Sequence, residues 1–173
     1  AIGSSAATQL VRMGAENFAL YDNDKVETAN IGVSQFNSED IGKPKVIALG
    51  DKLNKINVQC EIVANNELFN NYIYMDDNDI IVLGFDSMEA RLQAVKALSY
   101  VKPSLKKYEK SWYSDDEGSE EPCNRKATSY CSNMAGSFIA NTIRKVVTKQ
   151  PYEVALSFNF PTMTLEKKSC FKY

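Results

Sequence analysis

Apolar residues in the first hundred positions recur alternately at helical and at strand spacing. Val46, Leu49 and Leu53 fall on one helix face, whereas the run from Phe18 to Leu20 is short and strand-like. In chain order the pattern predicts a helix over 3–13 that ends at Gly14, a strand ending at Asp22, a helix over 44–56, a strand over 59–64, a strand over 79–83 and a helix that begins after Ser87. This alternation predicts an α/β fold: a doubly wound, Rossmann-like, mostly parallel sheet.

The segment 79–83 carries the strongest strand signal. Its sequence, Asp-Ile-Ile-Val-Leu, is apolar after its first residue, which is typical of a parallel strand buried on both faces. Ligands of doubly wound sheets lie outside the carboxyl ends of the strands. Asp22, Asp24 and Asp86 closely follow predicted strands, so we expect them to lie together at that edge.

Beyond the helix that follows Ser87, the alternation fails. A further strand is expected after Pro103, but 104–112 has a helical pattern and 114–121 is an acidic loop by composition. We expect a single domain over 1–173, in which a segment is missing near Pro103-Ser104 or the fold is shortened.

The C-terminal part has a simpler pattern. A long helix over 128–147 is rich in small residues and ends before Pro151. The run 152–160 then alternates apolar and polar residues, which predicts a half-buried strand, antiparallel to a partner over 162–165.

Charge and composition exclude several classes of protein. The chain of 173 residues has a formal net charge of −2 and a pI near 5.3, which argues against nucleic-acid binding through phosphate neutralisation. No apolar run approaches the ~20 residues of a membrane-spanning helix, and no signal peptide is visible. The 4 cysteines form no C-x-x-C pair, so we expect no zinc ribbon, no disulfide scaffold and a cytoplasmic location.

Histidine is absent from the sequence. This excludes serine–histidine triads, histidine general bases and most catalytic zinc sites. Chemistry in this chain must therefore use carboxylates, lysine, cysteine, backbone amides or a bound metal ion.

The stretch 17–46 carries the densest set of candidate ligands. Asp22 lies about 20 positions after Gly3 at a helix start, the spacing used to bind a ribose hydroxyl, although an ordinary acidic turn is the alternative. Lys45 opens a predicted helix, where a cation opposes the helix dipole unless a phosphate is bound. A solvated surface lysine is the alternative there, and Lys43 is a second candidate for the same role.

Three short motifs in this stretch are Asp22-Asn23-Asp24, Asn30-Ile31-Gly32 and Gly42-Lys43-Pro44-Lys45. Together they resemble the adenylating enzymes of the ThiF/MoeB/HesA family, which includes the adenylation domains of ubiquitin-activating enzymes. The pattern of that family is D-x-D, about five residues, N-L-x-R-Q and then G-x-P-K. The resemblance covers 1–98 well and 122–165 more loosely.

The resemblance implies a nucleotide site. Asp22 and Asp24 would hold the ribose of ATP, and Asn30 and Lys45 would contact its triphosphate. Gly3 would belong to the tail of a G-x-G-G-I-G phosphate loop, so the resemblance also implies that the chain begins inside this motif. An asparagine that only caps its own loop is the alternative for Asn30.

The resemblance also implies the remaining catalytic residues. Asp86 would bind Mg²⁺, because the family aspartate lies five residues before an arginine and Arg91 has that spacing. Cys123, beside Arg125 and Lys126, would receive the adenylated protein as a thioester. The alternative for Asp86 is an acid favoured by a helix N-terminus.

The implied activity is adenylation, by ATP, of the C-terminal carboxylate of a small ubiquitin-like or sulfur-carrier protein. A carboxylate is already ionised, so the reaction needs positioning and charge neutralisation rather than a general base. The family is usually dimeric, so the resemblance implies a homodimer, with the helix over 128–147 as its candidate contact surface.

Three positions depart from the family pattern. Val33 stands where the family has an arginine, Ser34 where it has a glutamine, and Leu83 where an aspartate often precedes the metal ligand. The departures leave open a non-catalytic partner half of such an enzyme. A NAD-dependent Rossmann oxidoreductase is a further alternative, in which Asp22 has a role but Lys45 and Asp86 have none.

Overall fold

The computed structural model describes residues 1–69, 76, 79–99, 129–159 and 162–171. Its helices and strands follow one another as α1 (Ile2–Arg12), β1 (Asn17–Tyr21), α2 (Thr28–Ile31), a 3-10 turn (Ser38–Asp40), α3 (Lys45–Ile56), β2 (Glu61–Asn65), α4 (Met88–Ser99), α5 (Ser129–Val147), β3 (Tyr152–Asn159) and β4 (Thr164–Phe171).

Strands β1 and β2 form a parallel pair, in register from Asn17 opposite Glu61 to Tyr21 opposite Asn65. The segment between them contains α3, so the two strands and this helix form a β-α-β unit. Both strands end at the same edge, where Asp22 follows β1. The α/β class and the parallel pairing predicted from the sequence are confirmed.

The core lies where α1 and α3 pack against this sheet. The predicted apolar face of α3 is buried: Val46 is 2% exposed, Leu49 8% and Leu53 0%. Pro44 precedes α3 in an extended conformation, with ψ 135°, and therefore caps the helix instead of lying in its first turn as expected. The cluster around this face comprises Ala7, Val11, Val26, Phe36, Ala48, Leu49, Leu53 and Cys60.

Helix α5 packs closely against α1 through its small residues. A Cβ atom at Gly136 would lie 2.5 Å from Ser5 Oγ and 2.8 Å from Ala6 N, so only glycine fits at this crossing. Ser132 and Ala140, one turn away on either side, are buried as well. This face is therefore occupied within the chain, and a dimer contact through the rest of the helix stays a prediction.

Strands β3 and β4 form an antiparallel pair, with Asn159 opposite Thr164, which confirms the predicted C-terminal hairpin. The centroid of the Phe158 ring lies 6.4 Å from the centroid of the Phe138 ring on α5. Glu153 pairs with Lys145 at 2.8 Å and with Lys167 at 3.5 Å. The hydrogen bond from Lys145 is the main reason that the pKa of Glu153 falls to about 2.

The segment 79–83 does not form the expected buried strand. Ile80 is 47% exposed and Val82 36% exposed. A strand exists through hydrogen bonds to a neighbour, and no part of the chain described in the structure pairs with this segment. The apolar composition of 79–83 therefore predicted a strand that does not form.

Several sequence-based expectations fall outside the described residues. These are the junction Pro103-Ser104, the helix over 104–112, the acidic loop over 114–121 and the candidate nucleophile Cys123. Within the described ranges, no helix is both long and apolar enough to cross a bilayer.

The buried carboxylate of Asp40 in the 3-10 turn pairs with one lysine before α3 and with one inside that helix. Asp40, 5% exposed, accepts a hydrogen bond from the N–H of Asn37 at 2.8 Å. The oxygen that accepts this bond, Oδ2, also lies 3.0 Å from Lys52 Nζ, and the other oxygen, Oδ1, lies 3.4 Å from Lys43 Nζ. Burial acts to raise the pKa of Asp40, but the hydrogen bond from Asn37 and the ammonium of Lys52 outweigh it, so the pKa is lowered.

Substituting Gly136→Ala should lower the free energy of unfolding by about 1–3 kcal/mol, because the new methyl group forces α1 and α5 apart. Gly50→Ala is the matched control, since its Cβ would meet only Ile62 Cγ2 at 3.4 Å. Better helix propensity should raise stability there by about 0.5–1 kcal/mol. Urea unfolding of both variants measures the difference, and equal effects would contradict the close packing at Gly136.

Substituting Asp40→Asn should cost about 3 kcal/mol of stability at pH 7, because Lys52 loses its buried partner. A lowered folded-state pKa gives stability that is present above the unfolded pKa of about 4 and is lost as the pH falls through the folded value. The gap between wild type and variant should therefore shrink between pH 5 and pH 2, about the range over which the carboxylate is protonated.

Denaturant unfolding at a series of pH values measures this gap. The exposed Asp51 on α3 supplies the control Asp51→Asn, which should change stability by less than about 0.5 kcal/mol. A gap that stays constant with pH would remove Asp40 as the source of the acid sensitivity.

Candidate functional site

Two loops at the carboxyl edge of the sheet are joined by backbone hydrogen bonds. Val26 N–H donates to Lys43 O, Gly42 N–H to Val26 O and Lys45 N–H to Asp24 O, each at 2.9 Å. Gly42 has φ +86°, a left-handed conformation that glycine adopts without strain. The acidic loop after β1 and the start of α3 are therefore held in one fixed arrangement.

This arrangement brings Lys45 and Asp24 together. Lys45 Nζ lies 2.7 Å from Asp24 Oδ2, with the lysine side chain 22% exposed and the aspartate side chain 62% exposed. Burial acts to lower the pKa of Lys45, but its hydrogen bond with Asp24 and the neighbouring carboxylates outweigh burial, so the pKa is raised. Lys43 instead points to Asp40, which separates the two lysines that the sequence left as alternatives.

Asp22 lies directly after β1, where its N–H donates to Asn65 O at the end of β2, at 3.3 Å. Its Oδ1 accepts a hydrogen bond from the N–H of Asp24 at 2.9 Å. The acidic turn considered as an alternative does form, and it uses one carboxylate oxygen. The second oxygen is the atom that would contact a ligand.

The loop that carries Asp86 approaches the first turn of α1. A Cβ atom at Gly84 would lie 3.2 Å from Gly3 N and 3.3 Å from Gly3 Cα. Ser87 caps α4 through a 3.1 Å hydrogen bond from the N–H of Ala90, as its sequence position predicted. Arg91 Nε donates to Phe85 O at 2.6 Å and so fixes the backbone beside Asp86.

The carboxylates at this edge act together on Lys45. Besides Asp24, the carboxylates of Asp22 and Asp86 raise the pKa of Lys45.

The centre combines three carboxylates with one lysine. Nothing in the described ranges amounts to a set of three or more histidine, cysteine, aspartate or glutamate side chains that could hold a metal alone. Mg²⁺ is usually held by one or two carboxylates together with substrate phosphates. The exposed carboxylate of Asp86 fits that role.

Asn30 and Val33 lie in the segment that follows the acidic loop. The side-chain oxygen of Asn30 accepts a hydrogen bond from Glu27 N–H at 2.9 Å, so the capping role does form. A ligand contact would use its amide nitrogen. At Val33, the backbone carbonyl accepts a 2.7 Å hydrogen bond from Ser132 Oγ, which joins this segment to α5.

Cys60 is poorly suited to act as a nucleophile. It is 9% exposed, and burial raises its pKa, with a further contribution from Glu16. Cys131 lies partly buried inside α5.

Sequence reasoning did not identify Gly84 or the positioning role of Arg91. A glycine directly after an apolar run and before an aspartate was a usable signal for close approach of the backbone to another element. The hydrogen bond from Arg91 to Phe85 O joins residues six positions apart, and spacing alone gives no sign of it.

The sequence matches known proteins over its first part. The model of the ThiF family matches residues 1–107. A ubiquitin-like modifier-activating enzyme 5 from Drosophila erecta is 42% identical over 77 residues, which are 44% of this chain and 18% of that protein. The same enzyme from Dictyostelium discoideum is 38% identical over 65 residues, which are 38% of this chain and 17% of that protein. The chain thus spans less than a fifth of these curated relatives.

Solved structures extend the likeness over most of the chain. The E. coli tRNA N6-threonylcarbamoyladenosine dehydratase TcdA has a TM-score of 0.63 at 15% identity and covers 86% of this chain and 84% of its own. E. coli MccB, solved with ATP, has a TM-score of 0.60 at 13% identity, and the match covers 99% of this chain and 61% of the MccB chain. At such low identity these matches establish the fold alone.

Proposed function

The chain belongs to the ThiF family, and we propose that it activates the C-terminal carboxylate of a small ubiquitin-like or sulfur-carrier protein by adenylation with ATP. The observation that carries the proposal is the grouping of Lys45 with the carboxylates of Asp22, Asp24 and Asp86. The loop that carries Asp86 also lies against the first turn of α1. The relatives named as activating enzymes for ubiquitin-like modifiers and the ATP complex of MccB support the choice of substrates.

In this proposal Lys45 neutralises negative charge on the phosphates. Its raised pKa keeps the ammonium protonated throughout the physiological range. Asp24 holds the ammonium 2.7 Å away, so Lys45 is positioned before the nucleotide binds. A side chain that is already ordered loses less conformational entropy on binding.

Asp22 and Asn30 would orient the nucleotide. The second carboxylate oxygen of Asp22 accepts a hydrogen bond from a ribose hydroxyl, while its first oxygen stays in the turn with Asp24. The amide of Asn30 donates to a phosphate oxygen, and the backbone of Gly3 lies at the start of α1, where N–H groups favour an anion. Asp86 would hold Mg²⁺, which supplies charge neutralisation at the phosphates.

The reaction joins the carboxylate of the carrier protein to the α-phosphorus of ATP and releases pyrophosphate. The carboxylate is ionised at neutral pH, so this chain needs no proton acceptor, in agreement with its lack of histidine. A later transfer to Cys123, a homodimeric assembly and a cytoplasmic location are part of the same proposal.

A non-catalytic partner subunit is the second candidate, and Val33 is the observation that favours it. The family pattern has an arginine at this position, and valine provides no positive charge for the phosphates. In such a subunit the nucleotide site would bind weakly or serve only to stabilise an active partner.

The proposal predicts ATP–pyrophosphate exchange by the full-length protein with Mg²⁺ when one of a set of ubiquitin-like or sulfur-carrier proteins ending in glycine is added. Asp86→Asn should reduce the exchange at least about a hundredfold, because the phosphates lose their bound metal ion. ATP binding without exchange for any carrier would favour the partner subunit, and absence of both would contradict the nucleotide site.

Substituting Lys45→Ala should weaken Mg²⁺–ATP binding by roughly 1.5–3 kcal/mol, about 10- to 150-fold in Kd, because one charge-assisted contact is lost. Lys43→Ala is the matched control, since that lysine pairs with Asp40 and should change Kd less than about threefold. Isothermal titration calorimetry gives both values. Equal affinities for the wild type and Lys45→Ala would remove Lys45 from the site.

A further inference from the structure

A cavity of about 220 Å³ lies between the second halves of α1 and α3, and none of the candidate nucleotide ligands lines it. It is smaller than the roughly 300–1,000 Å³ of most small-molecule pockets, so it suits a single small group. Its lining residues are Thr8, Arg12, Gln35, Lys52, Lys55 and Ile56.

The cavity is distant from the nucleotide site. Lys45 is the first residue of α3, and Lys55 lies in its last turn. At a rise of 1.5 Å per residue, these two positions are about 15 Å apart along the helix axis. A ligand in the cavity would therefore be separate from the phosphates bound beside Lys45.

We propose that this cavity is a second anion site and that it takes a phosphate group. Three cationic side chains line it, in a chain whose net charge is −2. Lys52 is paired with Asp40 at 3.0 Å, and that carboxylate is also shared with Lys43. Arg12 and Lys55 have no carboxylate partner among the residues that the structure describes, so positive charge is in excess.

Helix dipoles account for part of this arrangement. Arg12 and Lys55 each lie in the last turn of a helix, where a cation is favoured without any ligand. The dipoles do not explain why both cations line the same cavity with Lys52. They also do not explain why the hydroxyl of Thr8 has no hydrogen-bond partner.

Thr8 is the second, independent observation. Its Oγ1 is buried and has no hydrogen-bond partner in the structure. A buried hydroxyl without a partner is destabilising. Because Oγ1 is closed to solvent in this conformation, the Thr8 side chain would have to rotate toward the cavity before its hydroxyl could donate to a phosphate oxygen. Gln35 is held at the cavity by its own contacts, because its Nε2 donates to Asn133 Oδ1 at 2.7 Å and its backbone N–H to Ser4 Oγ at 3.3 Å.

A phosphate suits this set of donors better than a single carboxylate does. Its oxygens point in several directions and carry more than one negative charge, so they can meet a guanidinium, two ammonium groups and a hydroxyl at once. The group could belong to a free phosphate compound or to a phosphorylated protein, and both present the same chemistry to the cavity.

The test is calorimetric titration of the full-length protein with inorganic pyrophosphate in a Lys45→Ala background, which suppresses binding at the nucleotide site. Arg12→Gln combined with Lys55→Gln should weaken binding about tenfold or more, because two charged contacts are lost. Lys149→Gln removes the same charge from an exposed turn outside the cavity and should change the affinity less than twofold.

Thr8→Val gives a readout that a purely structural role would not. Removing an unsatisfied hydroxyl without changing the side-chain shape should raise the Tm of the free protein and weaken pyrophosphate binding at the same time. Pyrophosphate affinity that is unaffected by Thr8→Val and by the double variant overturns the proposal, as does an equal loss in Lys149→Gln.

A second titration separates the two sources of phosphate. A phosphoserine peptide that competes with pyrophosphate, and loses affinity in the double variant, supports a phosphorylated partner. Failure of that peptide to compete supports a free phosphate compound. An unphosphorylated glutamate-rich peptide that binds as tightly as pyrophosphate or the phosphoserine peptide overturns the assignment of the cavity to phosphate. These results do not depend on the proposed adenylation, because Lys45→Ala weakens binding at the nucleotide site and the variants of Arg12, Lys55 and Thr8 change only the cavity.

Discussion

The structure of the candidate site depends on the backbone hydrogen bonds that join Asp24–Val26 to Gly42–Lys45. They place a lysine at the start of α3, where its charge opposes the helix dipole, and the carboxylate of Asp24 compensates at 2.7 Å. Without this ion pair the ammonium of Lys45 would be half-buried and unfavourably placed. The same contact that stabilises the free protein therefore also positions the charge that we assign to the nucleotide phosphates.

The sheet and the buried carboxylate of Asp40 support this arrangement from two sides. Parallel pairing of β1 with β2 fixes Asp22 at the sheet edge, and its N–H is bonded to Asn65 O. Asp40 holds Lys43 and Lys52, so the loop before α3 is tied to the third turn of the same helix. Ion pairs to the buried Asp40 and the hydrogen bond to Asn65 therefore hold the loop through contacts within the chain.

Local patterns in the sequence were sufficient to predict α1, α3 and the C-terminal hairpin. The helical spacing of Val46, Leu49 and Leu53 predicted a buried face because burial follows the period of the helix. The strand expected over 79–83 failed for a different reason: a strand needs a neighbour, and composition does not reveal whether one pairs with it.

The candidate site could be predicted in part for the same physical reasons. The order Asp22, Asp24 and Lys45 was readable from motifs, since each residue follows a strand or opens a helix. The turn made by Asp22 joins residues two positions apart, and the sequence offered it as an alternative. The ion pair between Lys45 and Asp24 and the approach of Gly84 to Gly3 are contacts across the fold. Such contacts depend on the relative placement of elements, which residue spacing does not determine.

The balance of charge in the site bears on whether the chain is an active subunit or a supporting partner. Asp22, Asp24 and Asp86 outnumber Lys45, so in the proposed function a divalent cation would be needed to offset their repulsion of a polyphosphate. A fully ionised triphosphate carries more negative charge than one lysine and one such cation neutralise. The family arginine would reduce this excess, but Val33 leaves it to the N-terminal end of α1 and the amide of Asn30. Dipoles of this kind favour binding of the ground state and the transition state alike, and only charge that follows the leaving pyrophosphate would accelerate the reaction. If the chain adenylates a carrier protein as proposed, valine at position 33 would therefore lower the rate of adenylation more than the affinity for ATP.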